Sequence, residues 1–129
     1  MRVLLDTHVL IWWLRDDPLL GPKPRALIAD AGIEALFSIA SCWEASIKTR
    51  LGKMDLPGSQ LWRFSSENGL RPLGIELSHL AELERLPIVP GHRDPFDRLL
   101  LAQAKAEGAA LVTHDRALPS YGIDCIGVR

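Results

Sequence analysis

Short apolar runs alternate with longer amphipathic stretches along this chain. The run at residues 2–5 has the length of a buried strand, and residues 7–14 continue it as an apolar helix after Asp6. Asp17-Pro18 and Gly21-Pro22 then break the pattern. A helix near residues 24–31 leads to a strand at 35–38, and Ser41 opens a helix that Gly52 ends. Residues 60–67 read as a helix, and 70–75 as a strand that Pro72 confines to a sheet edge. Helices follow at 77–86 and 95–107, the second closed by Gly108, with strands at 110–113 and near 125–128. Strands separated by helices of about ten residues predict an α/β fold, a central parallel sheet covered by helices on both faces. No repeat, low-complexity tract or linker interrupts the pattern, so residues 1–129 read as one domain.

That architecture gives meaning to four acidic residues. Open parallel sheets bind ligands beyond the carboxyl ends of their strands, near the point where strand order reverses. Asp6 directly follows the first strand, and Asp115 stands just past the strand at 110–113. Glu44 and Asp97 each come three positions after a helix-opening residue, Ser41 and Asp94, which puts both at the third helical position. Helices in this architecture begin where strands end, so the four carboxylates face one cleft. Structural uses compete for the same residues. Ser41 with Glu44 fits a capping box, and Asp94 with Asp97 is a looser version that has Pro95 at the first helical position. Glu44 also has Lys48 one turn on. Asp6 and Asp115 cap no helix in this reading, although Asp is common in turns after strands. Capping accounts for two acids, whereas a shared cation accounts for all four.

Hard carboxylate oxygens suit Mg2+ or Mn2+, which keep several waters and bind phosphate. Such an ion orients an attacking water and stabilises the leaving oxygen in displacement at phosphorus. Thr7 and Thr113 flank the acids, where a hydroxyl can fix a carboxylate rotamer, and Asp94 is an extra acid, a helix cap first and an auxiliary ligand second.

Four segments carry a resemblance. Val3-Leu4-Leu5-Asp6-Thr7-His8, Ser41-Cys42-Trp43-Glu44 with Lys48 and Gly52-Lys53, His92-Arg93-Asp94-Pro95-Phe96-Asp97-Arg98, and Leu111-Val112-Thr113-His114-Asp115-Arg116 resemble successive motifs of PIN-domain toxins of the VapC type. They occur in order over nearly the whole chain. The resemblance implies a PIN-like three-layer sandwich and Mg2+- or Mn2+-dependent cleavage of RNA. It also implies a small antitoxin as partner, and Asp6, Glu44, Asp97 and Asp115 as the catalytic metal ligands. His114 departs from the pattern, since that place often holds a small residue. An imidazole there bears on metal preference or substrate access.

Composition narrows the picture further. Fifteen basic and sixteen acidic side chains give a formal net charge of −1, which argues against nucleic-acid binding by bulk charge. A nuclease stays open, because metal-holding carboxylates offset basic residues elsewhere in the count. Cys42 and Cys125 form no C-x-x-C pair, and no apolar run is long enough to span a bilayer, so the expected compartment is the cytoplasm. His8, His79, His92 and His114 make no ligand pair of zinc-site spacing. Lys48, Arg50 and Lys53, with Arg93 and Arg98 around Asp97, are candidate RNA-phosphate contacts; a solvated helix face explains them equally. Trp12, Trp13, Trp43 and Trp62 serve as core or as base-stacking groups. Because residues 9–14 are apolar all round, that helix is either buried on several sides or part of it meets a second subunit, and a homodimer contact is expected there. Two other classes remain as alternatives, a non-catalytic PIN-like RNA-binding module and a phosphatase on a related sheet. Against the second, the chain has no D-x-D-x-T nucleophile motif.

Overall fold

The computed structural model describes residues 1–91 and 94–129. The sheet has five strands: β1 (Arg2–Leu5), β2 (Glu34–Ser38), β3 (Arg71–Leu73), β4 (Ala110–Val112) and β5 (Cys125–Ile126). The helices are α1 (Thr7–Leu14), α2 (Pro22–Ala29), α3 (Ile39–Arg50), α4 (Gly58–Glu67), α5 (Leu77–Arg85) and α6 (Pro95–Glu107), with a 3-10 turn at Leu118–Tyr121. The strand order is β3-β2-β1-β4-β5 and every pairing is parallel. β3 is an edge strand, as Pro72 requires.

Both faces of the sheet are covered, and the pleat divides its side chains between two cores. Val3 and Leu5 of β1, with Ala35 and Phe37 of β2, pack into one core with Val9, Leu10, Ile28, Ala45 and Leu61 of the helices α1 to α4. Leu4, Leu36 and Leu111 point the other way, onto Leu100, Leu101 and Ala104 of α6. Burial on two faces is why these strands are continuous apolar runs without alternation.

Several boundaries differ from the sequence reading. α2 begins at Pro22, because Gly21 is the cap and a proline suits the first helical position. α3 begins at Ile39, directly out of β2, with Ser38 as its cap through Ala40 N. β3 and β5 are shorter than expected and end where Gly74 and Gly127 follow. The apolar first helix is buried on several sides. Val9 and Leu10 are inaccessible, Ile11, Trp12, Trp13 and Leu14 are partly buried against the same core, and no large hydrophobic residue of α1 is exposed. The surface that α1 leaves open for the expected homodimer contact is limited to the partly exposed Ile11, Trp12, Trp13 and Leu14. The exposed tryptophans are Trp43 and Trp62, on α3 and α4.

Two close approaches demand glycine. A Cβ on Gly58 would overlap the Cys42 carbonyl where α4 crosses α3. A Cβ on Gly21 would lie 2.9 Å from the Val128 oxygen, which accepts a hydrogen bond from Gly21 N at 2.6 Å.

Candidate active site

Strand order reverses between β1 and β4: the chain builds outward from β1 to β3, then returns to place β4 on the other side of β1. Asp6 leaves β1 at this point and Asp115 follows β4. Asp6 is 2 % exposed and accepts hydrogen bonds at both carboxylate oxygens. Its Oδ1 accepts from Val9 N at 2.8 Å, making it the N-cap of α1. Its Oδ2 accepts from Thr113 Oγ1 at 2.6 Å, from His114 N at 3.3 Å and from His114 Nδ1 at 3.2 Å. Asp115 Oδ1 accepts from Ala117 N at 2.9 Å, an Asx turn, while Asp115 N donates to Thr113 Oγ1 at 3.0 Å. The expectation that Asp6 and Asp115 cap nothing is thus corrected for Asp6, because α1 begins without an intervening loop.

Glu44 undergoes the opposite correction. With Ser38 as the cap, Glu44 lies in the second turn of α3, and no capping box joins it to Ser41. The carboxylate is 4 % exposed, accepts from Thr7 Oγ1 at 2.7 Å and from Lys48 Nζ at 2.6 Å, and so keeps its predicted partner one turn on. Ser41 Oγ stands 2.9 Å from the Thr7 hydroxyl. Asp97 is at the third position of α6, as expected. Asp94 caps that helix, its Oδ1 accepting from Phe96 N at 2.8 Å and Asp97 N at 3.1 Å.

All four acids line a single cavity of about 160 Å3, together with Thr7, His8, Lys48, Asp94 and His114. Of the expected phosphate contacts among the described residues, only Lys48 reaches this cavity. Arg50 and Lys53 are exposed outside it. The Arg98 guanidinium turns to the Pro87 carbonyl at 3.2 Å and the Tyr121 ring at 5.7 Å. Arg93 and His92 lie outside the described residues.

Crowding leaves its mark on the charges. Burial, then the carboxylates of Asp94, Asp6, Asp115 and Glu44, push Asp97 up to about 6. The hydrogen bond to Asp6 holds the His114 imidazole cationic to higher pH than usual, whereas burial and the neighbouring His114 push His8 down. The Glu44 hydrogen bond raises Lys48. His8 and Trp12, one turn apart on α1, pack their rings around His114, with centroids at 4.7 and 5.4 Å. This aromatic group at the cavity mouth was not foreseen, because His114 is remote from α1 in sequence.

A second group of metal-ligand types, Glu76, His79 and Glu107, brings its atoms within 4.8 Å of one another. Hydrogen bonds already use both nitrogens of the fully buried His79. Nδ1 accepts from Glu76 N at 3.0 Å, and Nε2 lies 2.8 Å from Glu107 Oε2. This group ties α5 to α6.

Beyond β4 and β5 lies a larger cleft, about 520 Å3, whose wall includes His114 and Asp115 from the acid cavity.

Against known proteins, residues 3–123 match the PIN domain. The chain is 35% identical over 121 residues to ribonuclease VapC22 of Mycobacterium tuberculosis, covering 92% of this chain and 91% of that protein. It superimposes on VapBC2 of Rickettsia felis, solved bound to a DNA fragment from its promoter, with TM-score 0.73, 16% identity and full coverage of both chains. DNA-bound VapBC of Salmonella typhimurium gives TM-score 0.69 at 14% identity, covering 100% of this chain and 99% of that one.

Proposed function

The chain belongs to the PIN domain family, and from that premise we propose that it is a divalent-metal-dependent endoribonuclease, the toxin of a toxin–antitoxin pair. One observation carries the reading: carboxylates from β1, α3, α6 and the end of β4 converge on one small cavity. Burial first, and then the neighbouring carboxylates, raise Asp97, an environment that a cation would relieve. An all-oxygen donor set with excess negative charge suits Mg2+ or Mn2+.

Asp6, Glu44, Asp97 and Asp115 are the residues that would hold the ion. When bound, such an ion lowers the pKa of a water and neutralises charge building on the phosphate. The chain supplies the positioning. Thr7 fixes the Glu44 carboxylate and Thr113 fixes that of Asp6, so neither has to be ordered when substrate arrives. Lys48 sits beside Glu44, where its ammonium can also meet a phosphate oxygen. Asp94 sets the start of α6 and with it the place of Asp97.

The partners of this reading are an RNA substrate, a cognate antitoxin and a second copy of the chain. VapC22 is a ribonuclease by name. Among the described residues no helix is long and apolar enough to cross a membrane.

Cleavage of a labelled RNA in Mg2+ or Mn2+, with a phosphomonoester as control, tests the reading. Chelation should stop it, and Asp97→Asn should lower it by about two orders of magnitude while the circular dichroism is unchanged. Cutting that survives excess chelator, or hydrolysis of the monoester alone, overturns it.

A further inference from the structure

We propose that the cleft beyond β4 and β5 is a nucleotide subsite, which seats the RNA residue next to the scissile phosphate. This inference rests on the ribonuclease reading and deepens it. The two cavities share a wall made of His114 and Asp115. An occupant of the larger one is therefore a direct neighbour of the acid cluster.

Size and chemistry agree with a nucleotide. At about 520 Å3 the cleft has the volume of small-molecule sites, whereas the acid cavity, about 160 Å3, has room for little beyond an ion and a phosphate group. Pro119, Ile126 and Val128 offer apolar surface for the face of a base. The exposed Arg116 and Arg129 stand in the same wall, where a planar guanidinium can take phosphate oxygens. The His114 ring between the cavities is already packed with those of His8 and Trp12, a group on which a base can stack. Arg116 and Arg129 thus stand on the far side of the dividing wall from Asp6, Glu44 and Asp97.

The cleft is also built firmly. Thr113 N donates to Ile126 O at 2.9 Å, and Gly21 N donates to Val128 O at 2.6 Å, so both walls are held by backbone hydrogen bonds. Gly127 lines the cleft; a Cβ there meets no atom within 4 Å and its backbone is outside the left-handed region, so a larger residue at this wall brings no backbone strain.

Gly127→Phe and Arg116→Gln test the proposal. Binding of a labelled single-stranded RNA is followed by anisotropy in EDTA, cleavage by kcat/KM in Mn2+, and Mn2+ affinity by calorimetry. Gly127→Phe should weaken RNA binding at least about tenfold and raise KM more than it lowers kcat, with Mn2+ affinity unchanged. Arg116→Gln should weaken RNA binding and make its log–log salt dependence shallower by about 0.7, the loss of one phosphate contact to a single strand. Should Gly127→Phe fail to fold, the Arg116→Gln slope decides alone. Variants that bind and cut RNA like the wild type overturn the subsite and leave the nuclease standing. A wild type that binds Mn2+ yet neither binds nor cuts RNA overturns the ribonuclease reading, and the subsite with it.

Discussion

Asp97 and Asp6 separate charge crowding from structural support, because the same substitution should move their stabilities in opposite directions. In the metal-free protein, Asp97 keeps its proton up to about 6 against an unfolded value of 3.8. The native state then binds more protons than the unfolded chain between those values, so stability falls as pH rises through them. The cost is absent well below pH 4 and complete above pH 6. Asp97→Asn should therefore leave the metal-free protein as stable at pH 7 as the wild type, or up to about 1 kcal/mol more stable, since solvent screens part of the repulsion and lost helix-dipole interaction opposes the gain. Asp6→Asn should cost about 1–2 kcal/mol, because its oxygens cap α1 and accept from Thr113 and His114. Urea melts at pH 4 and pH 7 measure both; destabilisation by Asp97→Asn at pH 7 would make that acid a structural cap. That the four acids meet at one cavity was legible in sequence, because Asp6, Asp97 and Asp115 follow recognisable strand ends or a helix start, whereas Glu44 was reached through the wrong cap. The double use of Asp6 was not legible, since it depends on α1 starting with no intervening loop and on Thr113 arriving from a remote strand.

Where α4 crosses α3, backbone contact replaces side-chain packing. Gly58 N donates to Ser46 Oγ at 3.1 Å, and a Cβ has no room against the Cys42 carbonyl. Gly58→Ala should force the helices apart and cost about 1–3 kcal/mol, read as a lower denaturation midpoint with an unchanged slope. A midpoint equal to the wild type's would mean that the crossing relaxes freely. The sequence located each of these helices, through apolar spacing in α4 and α5 and through a capping residue and a closing glycine in α3 and α6. It misplaced the start of α3, where Ser38 and Ser41 are both suitable caps and only the direct exit from β2 decides between them. Apolar content alone could not tell burial from an interface for α1, in which Thr7, Val9 and Leu10 are buried and the rest only partly so.

For the whole molecule, the sheet order makes the site. β1 is central, and its two neighbours β2 and β4 each lead straight into a segment that carries an acid. A cation binding only the native state should raise stability by about 2.7 kcal/mol at a hundredfold excess over Kd. A melt in Mn2+ should therefore lie several degrees above one in EDTA, and Asp97→Asn should abolish the difference; identical melts for the wild type would remove the metal from the proposal. The parallel sheet was legible from buried runs separated by helices, whereas the cleft beyond β5 was not, because it arises from pairing between strands that the pattern cannot align. The link from Thr113 to Asp6 spans 107 positions. During synthesis Asp6 therefore emerges long before the strand that completes its surroundings. A nascent chain cannot assemble the acid cluster until β4 has left the ribosome and docked beside β1, which delays any activity of the site until that late strand is in place.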